Sequence, residues 1–350
     1  MTGQSFAIAG RPIGPEHPPY LVAEMSANHG QDFDRAVQIL EAAAAAGADA
    51  VKLQTYTPDT ITLRCDSPCF RIGGSPWTGR NLHDLLQEAF TPWEWHPKLQ
   101  PVADDLGLHL FSTPFDASAV QWLESMNVPA YKIASFELVD LPLLHRVAGT
   151  GKPIILSTGM ATLDEIEEAV RAIRQAGGTQ LALLKCTSAY PAPLEQMNLR
   201  SLPELARVFG APVGLSDHTR GIAAAVAAVA LGASIVEKHL TLSRSEGGCD
   251  SSFSLEPDEF RTMVEAVRDA HAALGAAFFG AGQDEQSMRR FRRSLFVVED
   301  VRAGELLSEK NIRSIRPGDG LHPRYYAQVL GRTARCDLPR GTPLRWEHVG

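Results

Sequence analysis

Ionisable and hydroxylic side chains recur in this chain at the ends of short apolar runs. Glu24, Lys52 with Gln54, Ser112 with Thr113, Lys132 with Ser135, and Ser157 with Thr158 close or follow five of them. Lys185 with Thr187, Ser216 with His218, and Glu237 with His239 do the same for three more. One polar residue at a strand end is ordinarily a cap; eight strands ending this way point to a common mouth lined with reactive groups. Lys52 and Lys132 together suit a multiply charged anion, and each alone is also compatible with Schiff-base chemistry or with pairing to a buried glutamate. Ser157-Thr158-Gly159 precedes a helix signal, so hydroxyls and backbone N–H groups can converge there on a phosphate. His218 and His239 end consecutive runs beside Asp217 and Glu237. Two imidazoles so placed can hold one divalent metal ion with positions left for substrate and water. Met25 and Phe136 fall near the same ends, where packing is their default role.

The runs that must position these groups span 20–23, 50–53, 108–111, 130–133, 153–156, 181–184, 212–215 and 233–236. Short apolar runs between amphipathic stretches are what strands buried on both faces look like. Their spacing leaves room for a crossover helix each time, as parallel neighbours require. Thr162 and Glu165 form a Thr-x-x-Glu capping box, Leu163, Ile166, Ala169, Val170 and Ile173 follow on one face, and Gly177-Gly178 ends that helix. Comparable patterns cover 34–46, 221–231 and 257–274. Eight such units predict a closed (β/α)₈ TIM barrel rather than an open doubly wound sheet. The stretch 6–13, with Gly10 and Gly14, predicts a hairpin plugging the barrel floor.

The pattern changes after Leu274. A Gly/Ala-rich segment, 275–282, leads to Arg289, Arg290, Arg292 and Arg293, a basic connector whose plain reading is a solvated linker. Beyond it, 300–307 and 337–344 share Asp, Gly and Leu positions, which predicts a small pseudosymmetric β-rich unit. The expected organisation is a catalytic barrel over 1–275, a linker over 276–292 and a small domain over 293–350.

A barrel alone takes about 250 residues, so 350 residues accommodate it with an appendage. With 44% hydrophobic and 21% charged residues, a large core is available and disorder is not expected. The net charge of -8 argues against nucleic acid as a partner, but not against a small anion held by a few focused cations. No apolar run approaches the roughly 20 residues that span a bilayer, and residues 1–10 carry no leader pattern. The five cysteines, Cys65, Cys69, Cys186, Cys249 and Cys336, are odd in number and scattered, which suits free thiols in the cytoplasm. Cys65 and Cys69 lack the second pair that a structural zinc site would need.

These residues fall within motifs that resemble the sialic acid synthase family. The motifs are Glu24-Met25-Ser26-Ala27-Asn28-His29, Lys52-Leu53-Gln54-Thr55, Ser112-Thr113-Pro114-Phe115-Asp116 and Tyr131-Lys132-Ile133-Ala134-Ser135. Lys185-Cys186-Thr187-Ser188-Ala189-Tyr190-Pro191, Gly214-Leu215-Ser216-Asp217-His218-Thr219 and Glu237-Lys238-His239 continue them. The C-terminal stretch, with Arg316-Pro317-Gly318-Asp319-Gly320, resembles the family's antifreeze-like (SAF) domain. The segment from Gln54 to Asp59-Thr60, Trp77-Thr78-Gly79-Arg80, Thr91-Pro92-Trp93-Glu94-Trp95 and Phe136 are similar to the branch that makes pseudaminic acid. Gly247-Gly248-Cys249-Asp250 departs from the family in carrying Cys where Pro is usual, and Leu85-Leu86-Gln87 replaces a more aromatic stretch.

The resemblance implies condensation of phosphoenolpyruvate with an N-acetylated amino sugar, 2,4-diacetamido-2,4,6-trideoxy-L-altrose, giving a nonulosonic acid and phosphate. It implies Mn²⁺ or Mg²⁺ on His218 and His239, with Glu24 as acid/base and Gln54 and Glu137 positioning the reactants. Phosphoenolpyruvate falls to Lys52, Thr113, Lys132, Ser135, Ser157, Ser188 and Ser216, and the sugar to Tyr190, Asp250 and Arg316. Arg316 would reach the partner's barrel, so a homodimer with a domain-swapped C-terminal lid is expected. Three alternatives stay open: an N-acetylneuraminate or other nonulosonic acid synthase using N-acetylmannosamine or a related sugar, a metal-independent Schiff-base aldolase using Lys132, and a sugar-binding protein without catalysis.

Overall fold

The computed structural model of the chain describes residues 5–73 and 77–350. Residues 1–4, part of the stretch expected to carry no leader, lie outside it. An antiparallel hairpin comes first, β1 (Phe6–Ile8) and β2 (Arg11–Ile13). The eight runs then become eight parallel strands. These are β3 (Tyr20–Glu24), β4 (Ala50–Thr55), β5 (His109–Pro114), β6 (Tyr131–Ile133), β7 (Ile154–Ser157), β8 (Leu181–Cys186), β9 (Val213–Asp217) and β10 (Ala233–His239). They close in chain order, β10 pairing with β3 so that His239 lies opposite Glu24.

The crossovers are α1 (Phe33–Ala45), then α2 (Pro58–Ile61), α3 (Leu82–Ala89) and α4 (His96–Asp105), which together link β4 to β5. They continue with α5 (Ala117–Ser125), α6 (Leu141–Ala148), α7 (Leu163–Gln175), α8 (Ser201–Phe209) and α9 (Ala223–Ala230). After β10 comes α10 (Pro257–Leu274). Helix α7 starts as its sequence dictates, with Thr162 and Glu165 bonding reciprocally, and Gly177 takes φ +93° just past its end. No helix among the described residues is long and apolar enough to cross a membrane.

Side-chain parity decides what the barrel mouth contains, because alternate strand residues point to opposite faces. Ile8 and Ile13 of the hairpin pack with Tyr20, Val22, Ala50, Phe111, Ala130, Ile155, Ala182, Leu184 and Ile235, the inward layers of the strands. This is the floor plug that the 6–13 stretch predicts. Two residues further along, the same parity turns Glu24, Lys52, Thr113, Lys132, Ser157, Cys186 and Glu237 inward. The opposite parity (Leu21, Val51, Leu110, Ile133, Leu156, Leu183, Leu215, Val236) packs beneath the helices in a second, larger core.

The chain divides into two compact units, Met1–Gly275 and Ala276–Gly350. In the second, β11 (Ser294–Val297) pairs with β12 (Ile312–Ile315), and α11 (Tyr326–Val329) follows. The internal repeat is realised reciprocally. Asp300 accepts from the N–H of Arg340, three residues after Asp337, and Asp337 accepts from the N–H of Ala303, three residues after Asp300, at 2.7 and 2.8 Å. Val301 and Leu338 exchange backbone hydrogen bonds between the two copies. The basic connector has exposed side chains, as a solvated segment requires, but it is tied down. Ser287–Phe291 form a 3-10 turn, and the Arg290 carbonyl accepts from Gly318 N–H at 2.8 Å.

Candidate active site

Strands β3, β4, β6 and β10 bring two lysines and two glutamates together at the barrel mouth. Lys52 Nζ lies 2.6 Å from Glu24 Oε2 and 3.6 Å from Glu237 Oε1, and it donates to Thr113 Oγ1 at 3.2 Å. Lys132 Nζ stands 3.7 Å from the same Glu237 oxygen, and Ser216 Oγ donates to that oxygen at 3.3 Å. All six side chains are buried. Burial pushes both carboxyls up, but Glu237 sits between two ammonium groups, which outweigh it and hold that carboxyl below its ordinary value. Glu24 has one lysine and a like-charged neighbour, so burial and the Glu237 charge lift it to about 7. Burial lowers Lys132, whereas the two carboxylates hold Lys52 above its ordinary value against the same effect. The cluster therefore keeps fixed positive charge and one carboxyl poised near neutrality, the combination that suits an anionic reactant and a proton transfer.

A cradle of hydroxyls adjoins it. Gly159 N–H donates to Ser135 Oγ at 3.0 Å, and a Cβ on Gly159 would stand 2.4 Å from Ser188 Oγ and 2.7 Å from Ser135 Oγ. Only glycine lets these hydroxyls approach a backbone N–H so closely. The Oγ of Ser157 and the Oε2 of Glu137 are buried without a hydrogen-bond partner, an arrangement that is costly unless a ligand completes it. Burial raises Glu137 to about 7, so it can donate as a neutral carboxyl.

His218 and His239 face each other across β9 and β10, ring centroids 5.3 Å apart. His218 Nδ1 lies 3.1 Å from the Thr187 carbonyl, which can only accept, so Nδ1 carries the proton and Nε2 keeps its lone pair. Nδ1 of His239 is buried with no partner, and burial, then the neighbouring cations, keep this imidazole neutral. Burial lowers His218, but the Cys186 sulfur 3.8 Å from its Nδ1 outweighs that and raises it above its ordinary value, so only His239 is held neutral. With Nε2 unprotonated, the two rings so disposed fit a divalent cation. Among the described residues no group of three or more His, Cys, Asp and Glu could hold one.

An aromatic wall borders the imidazoles. Tyr190 packs on His218 at 4.5 Å, on Phe253 at 5.1 Å and on Trp77 at 5.8 Å between centroids. The Trp77 indole donates to the Cys249 carbonyl at 3.0 Å. Asp250 accepts from Ser26 Oγ, and Gln54 Nε2 reaches both Ser26 Oγ at 3.0 Å and Glu24 Oε1 at 2.9 Å.

Fourteen of the residues singled out in sequence thus lie on the inward face or on the loops that rim it. Glu24, Lys52, Gln54, Thr113 and Lys132 form the charged side; Ser135, Glu137, Ser157 and Ser188 form the cradle. Tyr190, Ser216, His218 and His239 stand opposite, and Asp250 joins them through the loop after β10. Arg316 stands in the second unit, directly after β12. Parity corrects two members of the ring of polar strand ends, Ser112 and Lys185, and turns Asp217 away from the imidazoles it adjoins in sequence. Ser112 points outward to Thr55 Oγ1 at 2.6 Å, and Asp217 pairs with Lys238 at 2.7 Å, both fully buried on the outer face. Lys185 lines a separate cavity of about 840 Å³ with Thr158, Leu163 and Glu204. The residues missed are Ser26, Cys186 and the bridging role of Glu237. Glu237 had a signal in its position two residues before His239, which gives it the same facing.

A TIM barrel whose mouth gathers two buried lysines, a hydroxyl cradle and two facing imidazoles suits a multiply charged anion beside a polar co-reactant. Known proteins place the chain further. It belongs to the NeuB family, whose model matches residues 39–278, and a SAF domain matches residues 292–350. It is 47% identical over 333 residues to a pseudaminic acid synthase of Helicobacter pylori, covering 95% of this chain and 98% of that one. An N,N'-diacetyllegionaminic acid synthase of Legionella pneumophila is 34% identical over 354 residues, covering 99% of each. The solved structure of the N-acetylneuraminic acid synthetase of Leptospira borgpetersenii superposes with a TM-score of 0.74 at 30% identity, covering 82% of this chain and 95% of that one. The family resemblance carried by the motifs therefore holds, and so does the barrel with a C-terminal SAF domain.

Proposed function

We propose that this chain is a pseudaminic acid synthase of the cytoplasm, condensing phosphoenolpyruvate with 2,4-diacetamido-2,4,6-trideoxy-L-altrose and water to give pseudaminic acid and phosphate. The observation that carries the reading is the buried Lys52–Glu24–Glu237–Lys132 cluster beside the paired imidazoles, in a chain 47% identical to a protein named for that activity.

In this reading Lys52 and Lys132 neutralise the carboxylate and phosphate of phosphoenolpyruvate, with hydroxyls from Thr113, Ser135, Ser157, Ser188 and Ser216 completing the hold. Removing such an anion from water is favourable only where fixed donors replace its hydration, and a preorganised dry site does so before the reaction starts. Carbon 3 of phosphoenolpyruvate bonds to the sugar aldehyde carbon, water adds to carbon 2, and the C–O bond to phosphate breaks. A Mn²⁺ or Mg²⁺ ion held by His218 and His239 would supply Lewis-acid polarisation of the aldehyde oxygen. Glu24, poised near 7, accepts the proton that the attacking water loses and gives a proton to the oxygen of the former aldehyde, which becomes a hydroxyl, while Gln54 orients its carboxylate. Glu137 donates as a neutral carboxyl to the bound anion. Tyr190 and Asp250 hold the sugar, and Arg316 completes its pocket from the SAF lid of the partner subunit in a homodimer, with 276–292 as the connecting linker between the barrel over 1–275 and the lid over 293–350.

The test is phosphate release by EDTA-stripped enzyme with phosphoenolpyruvate, with and without Mn²⁺, offered the altrose or N-acetylmannosamine. Metal-dependent release with the altrose alone is expected. Release with N-acetylmannosamine instead overturns the substrate and keeps the chemistry, and release that ignores chelation overturns the metal's part.

A further inference from the structure

Ser26 has a backbone conformation that belongs to glycine and a side chain that glycine lacks. Its φ of +47° lies in the left-handed region, where a Cβ crowds the following carbonyl. Nothing else about the position demands a side chain: it is small, 2% exposed and directly follows Met25, which leaves the end of β3 for the apolar core. A serine held there against its own backbone preference is explained by its hydroxyl, because local strain of this kind persists where surrounding structure uses it.

That hydroxyl has two partners, both in the site. It donates to Asp250 Oδ2 and accepts from Gln54 Nε2 at 3.0 Å, while the same Gln54 nitrogen donates to Glu24 Oε1 at 2.9 Å. Asp250 arrives from a loop 224 residues away in sequence. Its Oδ2 also accepts from Ala27 N–H at 3.4 Å, so among the described residues both hydrogen bonds to this carboxylate fall on one oxygen. Oδ1 is thereby left to a donor from outside the protein.

Resting on the reading of Asp250 as a sugar ligand, we propose that Ser26 is a positioning residue that sets sugar recognition: its hydroxyl locks Asp250 through Oδ2, presents Oδ1 to an N–H or O–H of the sugar, and couples that contact through Gln54 to Glu24. The lock costs no rearrangement on binding, since it exists before substrate arrives.

Two substitutions separate the hydroxyl from the backbone. S26G removes the hydroxyl and relieves the strained φ; S26A removes the hydroxyl and keeps the strain. Steady-state phosphate release is measured for both beside wild type with phosphoenolpyruvate and the altrose, together with thermal unfolding. The expected result is that both variants lose about ten- to a hundred-fold in kcat/KM for the sugar, the size of a lost hydrogen bond to a charged group. The KM for phosphoenolpyruvate stays within about two-fold, and S26G unfolds at or above the wild-type temperature. S26G/D250N should lose no more than D250N alone, because the two residues act as one unit. An active wild type beside an unimpaired S26G overturns the inference alone, as does an additive double variant. A wild type that releases no phosphate with either sugar overturns the proposed function and this inference with it.

Discussion

Replacing Lys52 by Met tests the electrostatics of the barrel mouth without touching its shape, because the two side chains have similar length. Lys52 is buried with Nζ 2.6 Å from Glu24 and 3.6 Å from Glu237. At an effective dielectric of about 20 these pairs correspond to roughly 6 and 5 kcal/mol of attraction, offset by several kcal/mol for desolvating each charge. Taking the cation away strands two carboxylates in a dry site, which costs about 3–5 kcal/mol when a buried pair is broken. The sign of the pH dependence follows from the raised carboxyl. Glu24 already stands near 7 against an ordinary 4.5, and without Lys52 it moves higher. A group raised on folding destabilises only above its unfolded pKa, so the penalty is largest at pH 8 and fades as pH falls toward 5. Thermal unfolding of K52M and wild type should therefore differ by about 5–10 °C at pH 8 and by less than half of that at pH 5. K52M/E24Q, which removes the surplus carboxylate, should recover much of the loss at pH 8. An equal loss at both pH values, or no recovery in the double variant, refutes the reasoning.

With Glu24 acting in its ionised form, kcat/KM should rise with pH through about 7, and E24Q should flatten that limb while lowering kcat by about 10²–10⁴-fold. G159A drives a methyl into Ser135 and Ser188. It should raise the KM for phosphoenolpyruvate at least about ten-fold and leave the sugar KM nearly unchanged; the reverse pattern would move the cradle to the sugar. H218A and H239A should each abolish the loss of the free-Mn²⁺ EPR signal on adding protein, whereas a signal still quenched in both would place the metal elsewhere. R316A should raise the sugar KM far more than that for phosphoenolpyruvate, and equal effects on both would remove Arg316 from the sugar pocket.

Much of the architecture is legible without coordinates because barrel strands are buried on both faces and read as unbroken apolar runs. Helix α7 is announced by Thr162 and Glu165, and the two halves of the C-terminal unit by the matched Asp300 and Asp337, because those side chains bond to the nearest backbone groups the local geometry offers. The types of the candidate side chains are also local facts: lysines, glutamates and histidines at the ends of apolar runs have few other reasons to be there. What the run pattern omits is direction. A strand apolar on both faces carries no alternation to tell inside from outside, so Lys52 and Lys185, or Ser216 and Asp217, look equivalent in sequence. Only closure of the sheet, with the hairpin filling its floor, turns one of each pair into the mouth and the other toward the helices. Closure likewise joins Glu237 to Lys52 and Lys132 from three strands, and it carries Asp250 to Ser26. Such contacts join residues far apart along the chain, and their strength depends on the shared burial that tertiary packing creates.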